Sequence, residues 1–285
     1  MITISNHRPT IGFIGGGNMA SSLIGGLINA GYSASDITVS EPDQARRESL
    51  VAEFGIRSCA DNNDILSTQI IILAVKPQLL KMVCQPLAVN DSSSLFISIA
   101  AGIRSTDIDR WLHADTALPQ EQPLAIVRCM PNTPSLLQCG ASGLYANEQV
   151  SDSQRGQAQS ILEAVGIVSW VDTETQLNAV TAVSGSGPAY YFLMMEAMQK
   201  AGEKLGLSAE VSRQLVLQTA LGAARMAIEN DIPPAELRRM VTSKGGTTEQ
   251  AILSFQSSGF EKMVEQALQA ANDRSISLAD ELGSE

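Results

Sequence analysis

The first 170 residues alternate short apolar, β-branched runs with longer amphipathic ones. TIGFIG (10–15), ITVS (37–40), IRSC (56–59), IIILAV (70–75), LFISIA (95–100), AIVRCM (125–130) and GLYAN (143–147) read as strands. Between them, segments 18–30, 43–54, 77–88, 105–113 and 152–165 read as helices. Such alternation predicts a parallel sheet covered by helices on both faces. IIILAV is apolar at every position, as a strand buried on both sides requires. After GIVSWVD (166–172) the strand signals stop, and 175–183, 188–206, 209–229, 234–241, 248–256 and 260–282 all read as helix. The pattern predicts a doubly wound α/β domain over 1–170 and an all-helical domain over 171–285.

Two of the helical segments differ in kind. In 260–282, Phe260, Met263, Val264, Ala267, Leu268, Ala271 and Leu278 fall near helical spacing with charges opposite. In 209–229 the run LVLQTALGAARMAI is apolar or small almost all round, so it calls for burial on every side. So small a helical domain has few ways to surround such a helix. Burial against a second copy predicts a homodimer through this domain; the central helix of a monomeric bundle is the alternative.

The first strand runs into a glycine turn, TIGFIGGGNMASSLIGGL, with Gly15, Gly17 and Ala20 in G-x-G-x-x-A spacing. Gly15 allows a tight turn, Gly17 lets backbone approach a pyrophosphate, and Ala20 lets helix pack on strand. Free N–H groups and the helix dipole then hold the phosphates. The spacing alone is a weak signal, because strand–turn–helix junctions often want glycine. Its N-terminal position in an alternating α/β half, and Glu41 at the end of ITVSE, 21 residues beyond Ala20, strengthen it. A carboxylate there accepts hydrogen bonds from ribose hydroxyls and repels a 2′-phosphate. Arg46 and Arg47, one helical turn further, soften that repulsion if they fold back. A Rossmann-like domain binding NADH or NADPH is the expectation, with the phosphate preference open.

Composition narrows the chemistry. The length of 285 residues suits two domains, and 44% apolar with 17% charged residues is ordinary for globular chains. A net charge of −11 makes nucleic acid and anionic membranes poor partners. Cys59, Cys84, Cys129 and Cys139 show no CxxC spacing and read as buried thiols in a reducing compartment. MITISNHRPT lacks the order of a signal peptide and IIILAV is too short to span a bilayer, so a cytoplasmic location is expected. With only His7 and His113, histidine-based zinc sites and Ser-His-Asp catalysis are nearly excluded, and no metal is expected.

Three stretches in the second half are distinctive: RCMPNTP (128–134), AVSGSGPAYYF (182–192) and VTSKGGTTEQA (241–251). Together with FIGGGNMA, LAVKPQ (73–78) and SIAAGI (98–103) they make the chain resemble pyrroline-5-carboxylate reductase, in consistent order from about residue 10 to 280. The resemblance implies a Rossmann domain, then a helical domain that interlocks with its twin in a dimer, and dimers that often assemble further into decamers. It implies dinucleotide contacts along the turn Ile14, Gly15, Gly16, Gly17, Asn18 and Met19. Further contacts would come from Ser40, Glu41 and Pro42, from Asn62, from Ala74, Val75, Lys76 and Pro77, and from Ile99, Ala100 and Ala101. It also implies that the imino acid meets Glu174 and is anchored by the loop Ser243, Lys244, Gly245, Gly246, Thr247 and Thr248.

That loop has a physical reading of its own. Gly245 and Gly246 let backbone N–H groups converge, and Thr247 and Gln250 stand in capping-box spacing ahead of a helix. Free N–H groups at a helix start, rimmed by hydroxyls, cradle an anion, here the ring carboxylate. A glycine-rich interhelical turn with an ordinary cap is the plain alternative. Lys244 departs from the proline that the family usually carries, trading loop stiffness for a positive charge. SGSGPAYYF either breaks one helix and starts the next at Pro188 or also lines the site. Arg128 fits a structural ion pair better than a carboxylate ligand.

The chemistry implied is hydride transfer from NAD(P)H to C5 of the cyclic imine, giving L-proline. A basic imine nitrogen explains why no histidine is needed, and Thr248 is the residue expected to hydrogen-bond it and relay a proton. The rivals are a hydroxyacid or 6-phosphogluconate-type dehydrogenase, which would want a helical lysine as base where Lys200 and Lys204 read as solvated last-turn charges, and a non-catalytic dinucleotide sensor.

Overall fold

The computed structural model describes residues 8–114, 116, 119 and 122–284; His7 and the N-terminal residues before it lie outside them. The chain divides into two compact units. The first takes the described residues up to Ser186 and those from Ala271 onward, the second Gly187–Ala270.

The first unit contains β1 (Ile11–Ile14), α1 (Asn18–Asn29), β2 (Ile37–Ser40), α2 (Gln44–Phe54), β3 (Arg57–Cys59), β4 (Ile70–Leu73) and α3 (Pro77–Cys84). It continues with β5 (Leu95–Ser98), α4 (Ser105–Leu112), β6 (Ala125–Met130), β7 (Gly140–Ala146), α5 (Asp152–Glu163), β8 (Gly166–Trp170) and α6 (Gln176–Val180). The strands form one sheet in the order β3-β2-β1-β4-β5-β6-β7-β8. Order reverses between β1 and β4, the switch point of a doubly wound sheet. One pairing departs from the all-parallel expectation: β6 and β7 run antiparallel. Residues 131–139 are too few for the helical crossover that parallel neighbours need. Strand β7 also starts three residues before GLYAN, because the small residues Gly140, Ala141 and Ser142 carry no strand signal yet pair with β8.

Expected strands 70–75 and 95–100 leave the ladder two residues early, after Leu73 and Ser98. Helix α3 stops at Cys84 rather than 88, since Pro86 has no N–H to donate and cannot continue the ladder beyond the helical Gln85. The stretch expected to be helical over 175–183 continues from α6 into a π-helical turn, Thr181–Gly185.

Sheet pleat sorts the core into two layers. Ile70 and Ile72 join Leu23, Ile24 and Leu27 of α1 and Ile161 and Leu162 of α5 on one face. Ile71 and Leu73 join Leu80 of α3 and Ile108, Trp111 and Leu112 of α4 on the other. All four β4 side chains are fully buried, as its unbroken apolar run requires.

The second unit holds α7 (Gly187–Lys204), α8 (Ala209–Ile228), α9 (Pro234–Met240), α10 (Thr247–Ser257) and the first part of α11 (Phe260–Ser284). Helices α7 and α8 approach closely at small residues. The Ser212 hydroxyl donates to the Gln199 carbonyl at 2.8 Å, and a Cβ on Gly202 would stand 2.4 Å from Ser212 Oγ. Helix α8 is not enclosed by its own chain: Leu215 and Leu221 are each 55% exposed and Ile228 82%.

The remainder of α11 belongs to the first unit. Ser275, buried, donates to Asn178 Oδ1 at 2.8 Å, Ala279 is buried, and Arg110 Nη2 donates to the Gly283 carbonyl at 2.9 Å. A Cβ on Gly102 would sit 3.4 Å from Leu278 Cβ.

Candidate active site

Strand register sets the first part of the site. Ile14 stands opposite both Ser40 and Leu73, and Leu73 opposite Ser98, so β1, β2, β4 and β5 end at one level. The residues expected at the dinucleotide therefore converge on the carboxyl edge of the sheet. Gly15 takes φ +98°, and a Cβ there would lie 2.7 Å from the Ala74 carbonyl oxygen, so only glycine fits. Gly17 caps α1 with no side-chain hydrogen bond, and a Cβ on it would meet nothing within 4 Å. The start of α1 thus opens onto free space with backbone donors unspent, which fits a pyrophosphate. Ala20 is buried beneath it. Ser40 Oγ donates to Asn62 Oδ1 at 2.7 Å, tying two expected contacts together. Lys76 caps α3 and Pro77 opens it. Ile99 N donates to the Leu73 carbonyl at 3.2 Å and Ala100 N to Ser98 Oγ at 3.3 Å, which fixes the segment after β5.

Glu41 leans onto the glycine turn. Its carboxylate accepts from Gly16 N at 2.8 Å and from Asp43 N at 3.1 Å. Both arginines do fold back. Arg46 donates to the Gly16 carbonyl at 2.7 Å and to Ser21 Oγ at 2.6 Å. Arg47 donates to the carbonyls of Glu41 at 2.5 Å and Pro42 at 2.9 Å. Asp43, which no motif singled out, caps α2 by accepting from Arg46 N at 3.0 Å.

Glu174 sits in the first unit, where one carboxylate oxygen accepts from Ser105 N at 2.6 Å and from Arg128 Nη1 at 3.1 Å. Arg128 makes the ion pair its burial demands: desolvation pushes its pKa down, and Glu174 opposes that shift. The RCMPNTP stretch also binds Asn132 Nδ2 to the Ser184 carbonyl at 3.1 Å, and Asn132 Oδ1 accepts from Ala141 N at 2.9 Å. A Cβ on Gly185 would lie 2.4 Å from Met130 Cε, so this glycine serves close packing between the two motifs.

In the second unit the 243–248 loop joins α9 to α10. Gly245 takes φ +73° and Gly246 N donates back to the Ser243 carbonyl at 3.0 Å. The capping box expected from Thr247 and Gln250 does not form. Gly246 is the N-cap of α10, with no side-chain hydrogen bond, and Thr247 is already the first helical residue. The glycine takes the extended cap conformation, which moves the start one residue earlier. In place of a hydroxyl cap, the Glu249 carboxylate reaches back and accepts from Gly245 N at 2.6 Å. The sequence signal for it is the acid at the third helical position. Ser243, Lys244, Thr247 and Thr248 are exposed.

Lys200 pairs with Glu196 one turn earlier on α7, both well exposed, the arrangement of a surface ion pair and not of a general base. The cysteines are free, but only Cys84 and Cys129 are buried; Cys139 is exposed, correcting the expectation of four buried thiols. It follows the 3-10 turn Thr133–Leu137, which carries it to the surface.

A glycine turn at the carboxyl edge of a doubly wound sheet, followed by a helical unit, defines a dinucleotide-dependent oxidoreductase of the Rossmann class. Residues 174–278 match the family model described as pyrroline-5-carboxylate reductase dimerisation, and 10–102 the one described as NADP oxidoreductase coenzyme F420-dependent. The pyrroline-5-carboxylate reductase of Pseudomonas aeruginosa is 54% identical over 277 residues, covering 96% of this chain and 98% of that protein. A solved pyrroline-5-carboxylate reductase from Coxiella burnetii superposes with a TM-score of 0.89 at 42% identity, covering 96% of this chain and 99% of that one. The Plasmodium falciparum pyrroline carboxylate reductase, solved with NADP bound, gives 0.81 at 29% identity over 95% and 98%. The chain belongs to the pyrroline-5-carboxylate reductase family.

Proposed function

We propose that the protein reduces 1-pyrroline-5-carboxylate to L-proline with NADH or NADPH, the final step of proline biosynthesis, in the cytoplasm. The observation in this chain that carries the substrate reading is the Gly245 amide. It already binds a carboxylate, that of Glu249, at 2.6 Å. A loop that holds one carboxylate on a bare N–H suits the ring carboxylate of the substrate, which exchanges with Glu249.

In this reading the domain over 1–170 binds the dinucleotide and that over 171–285 binds the substrate and dimerises, with decamers as the further assembly. The donors at the start of α1 hold the pyrophosphate, and Glu41 faces the ribose. Val75 and Ala101 complete the dinucleotide contacts beside Ala74 and Ala100. When bound, the reduced nicotinamide supplies the hydride that adds to C5 of the imine. The chain's own residues do the rest. Ser243, Gly245, Gly246 and Thr247 fix the carboxylate, and Glu174 borders the ring. Thr248 hydrogen-bonds the ring nitrogen and passes it a proton, so that carbon gains a hydride and nitrogen a proton across the reduced C=N bond. A threonine hydroxyl is a weak acid, so its first task is positioning; orientation of the two reactants supplies much of the rate.

The test is oxidation of NADH or NADPH followed at 1-pyrroline-5-carboxylate concentrations spanning saturation, with L-proline identified as product. Turnover to proline is expected. Dinucleotide binding without turnover would identify a sensor instead, and turnover only with a hydroxyacid would identify the other dehydrogenase class.

A further inference from the structure

Two cations stand where helix electrostatics disfavour them. Arg46 and Arg47 lie in the first turns of α2, at the positive end of its dipole, where the one carboxylate, N-cap Asp43, is turned onto the Arg46 N–H. Both are half-buried, and neither forms an ion pair with a carboxylate among the described residues. Half-buried cations so placed need an anion or another fixed partner. Arg46 has fixed partners. Its Nε and Nη2 are taken by the Gly16 carbonyl and the Ser21 hydroxyl, so it braces the glycine turn against α1.

Arg47 is different. Only Nη1 is engaged, on the carbonyls of Glu41 and Pro42, the first two residues beyond β2. Its Nε and Nη2 carry three N–H donors with no acceptor among the described residues. The Nη1 bonds anchor the guanidinium to the residue whose carboxylate faces the ribose. Glu41 meanwhile has each oxygen held by one backbone N–H, from Gly16 and Asp43, and each keeps a lone pair for a ribose hydroxyl.

We propose that Arg47 is the residue that admits the 2′-phosphate of NADPH, with its spare donors, while the fixed Glu41 carboxylate serves the free hydroxyls of NADH. The pair makes the chain competent for both cofactors, and Arg47 alone carries the phosphorylated one. The proposal rests on dinucleotide binding at the glycine turn. A planar fork suits phosphate oxygens, and Lys in its place keeps the charge but loses the fork.

Binding, measured by calorimetry on the full-length protein without substrate, tests it. The probes are NADPH, NADH, 2′,5′-ADP and 5′-ADP. In the unaltered protein, NADPH and NADH are expected to bind within about tenfold of one another. Arg47→Ala is expected to weaken NADPH and 2′,5′-ADP by about tenfold or more, the effect of removing one charge-assisted hydrogen-bond donor from the 2′-phosphate. NADH and 5′-ADP should stay within about twofold, and Arg47→Lys should recover part of the NADPH affinity. Equal weakening of both dinucleotides would make Arg47 a brace like Arg46 and overturn the proposal, as would no change in either. Failure of the unaltered protein to bind any of the four probes would strike the glycine-turn reading itself. Arg46→Ala is the companion variant: it should weaken NADH and NADPH alike, and a loss confined to NADPH would transfer the role away from Arg47.

Discussion

At the scale of single residues, the chain separates groups that hold the fold from groups that face chemistry. Thr248 has no structural task beyond the second position of α10, where it is exposed. Thr248→Ala is therefore expected to lower kcat about tenfold or more while dinucleotide Kd changes less than about twofold. Equal losses in both would remove the threonine from proton delivery. The thiols sort by burial. Burial pushes Cys84 and Cys129 up to about 12, so at pH 8 both are neutral and shielded, and a thiolate-directed reagent has nothing to attack. Cys59 is also raised, chiefly by burial, whereas Cys139 lies exposed. Labelling at pH 8 should modify Cys139 first and Cys59 slowly, leaving Cys84 and Cys129 intact until denaturant is added. Mass spectrometry of the digested protein reads this order. Prompt modification of Cys129 would contradict its place in the core.

At the scale of elements, the α7–α8 contact rests on two small residues, Gly202 and Ser212. Gly202→Ala adds a Cβ where Ser212 Oγ stands 2.4 Å away. Helix propensity alone would favour the change by about 1 kcal/mol. Overpacking costs about 1–3 kcal/mol, so a net loss in urea stability is expected. Ser212→Ala in the same chain should return part of that loss, a coupling that a double-mutant cycle reads directly. Most of the element order is legible from hydrophobic period, because β4 and α1 are buried on the faces that their patterns name. What was not legible was decided by partners distant in sequence. Gly140 to Ser142 form strand only because β8 pairs with them, and β6–β7 polarity follows from connection length. At the site, Gly15, Gly17 and Glu41 follow from spacing, since each answers a separate backbone demand. An acid at the third helical position signals Glu249, but the amide it takes, and Arg47 over the Glu41 carbonyl, depend on side-chain direction, which spacing does not encode.

At the scale of the whole molecule, the second unit leaves a run of apolar side chains exposed along its helices. Leu215, Leu217 and Leu221 of α8 are at least 40% exposed, as are Met240 and Leu253 beyond it. A patch of that kind marks an interface, and the match to a dimerisation family over 174–278 names its use. Leu221→Glu should convert the oligomer to a smaller species in sedimentation velocity. The sheet's circular-dichroism signal should persist. An unchanged sedimentation coefficient would place the interface elsewhere.

The return of α11 to the first unit has a consequence for how the chain is made. Ser275 donates to Asn178, the Gly283 carbonyl accepts from Arg110 of α4, and Ala279, between them in sequence, is buried. Domains ordinarily fold in order as they leave the ribosome, at about 5–20 residues per second. Here the leading half stays unfinished while the inserted helices are translated, and its closure waits until residues 271 onward have followed them.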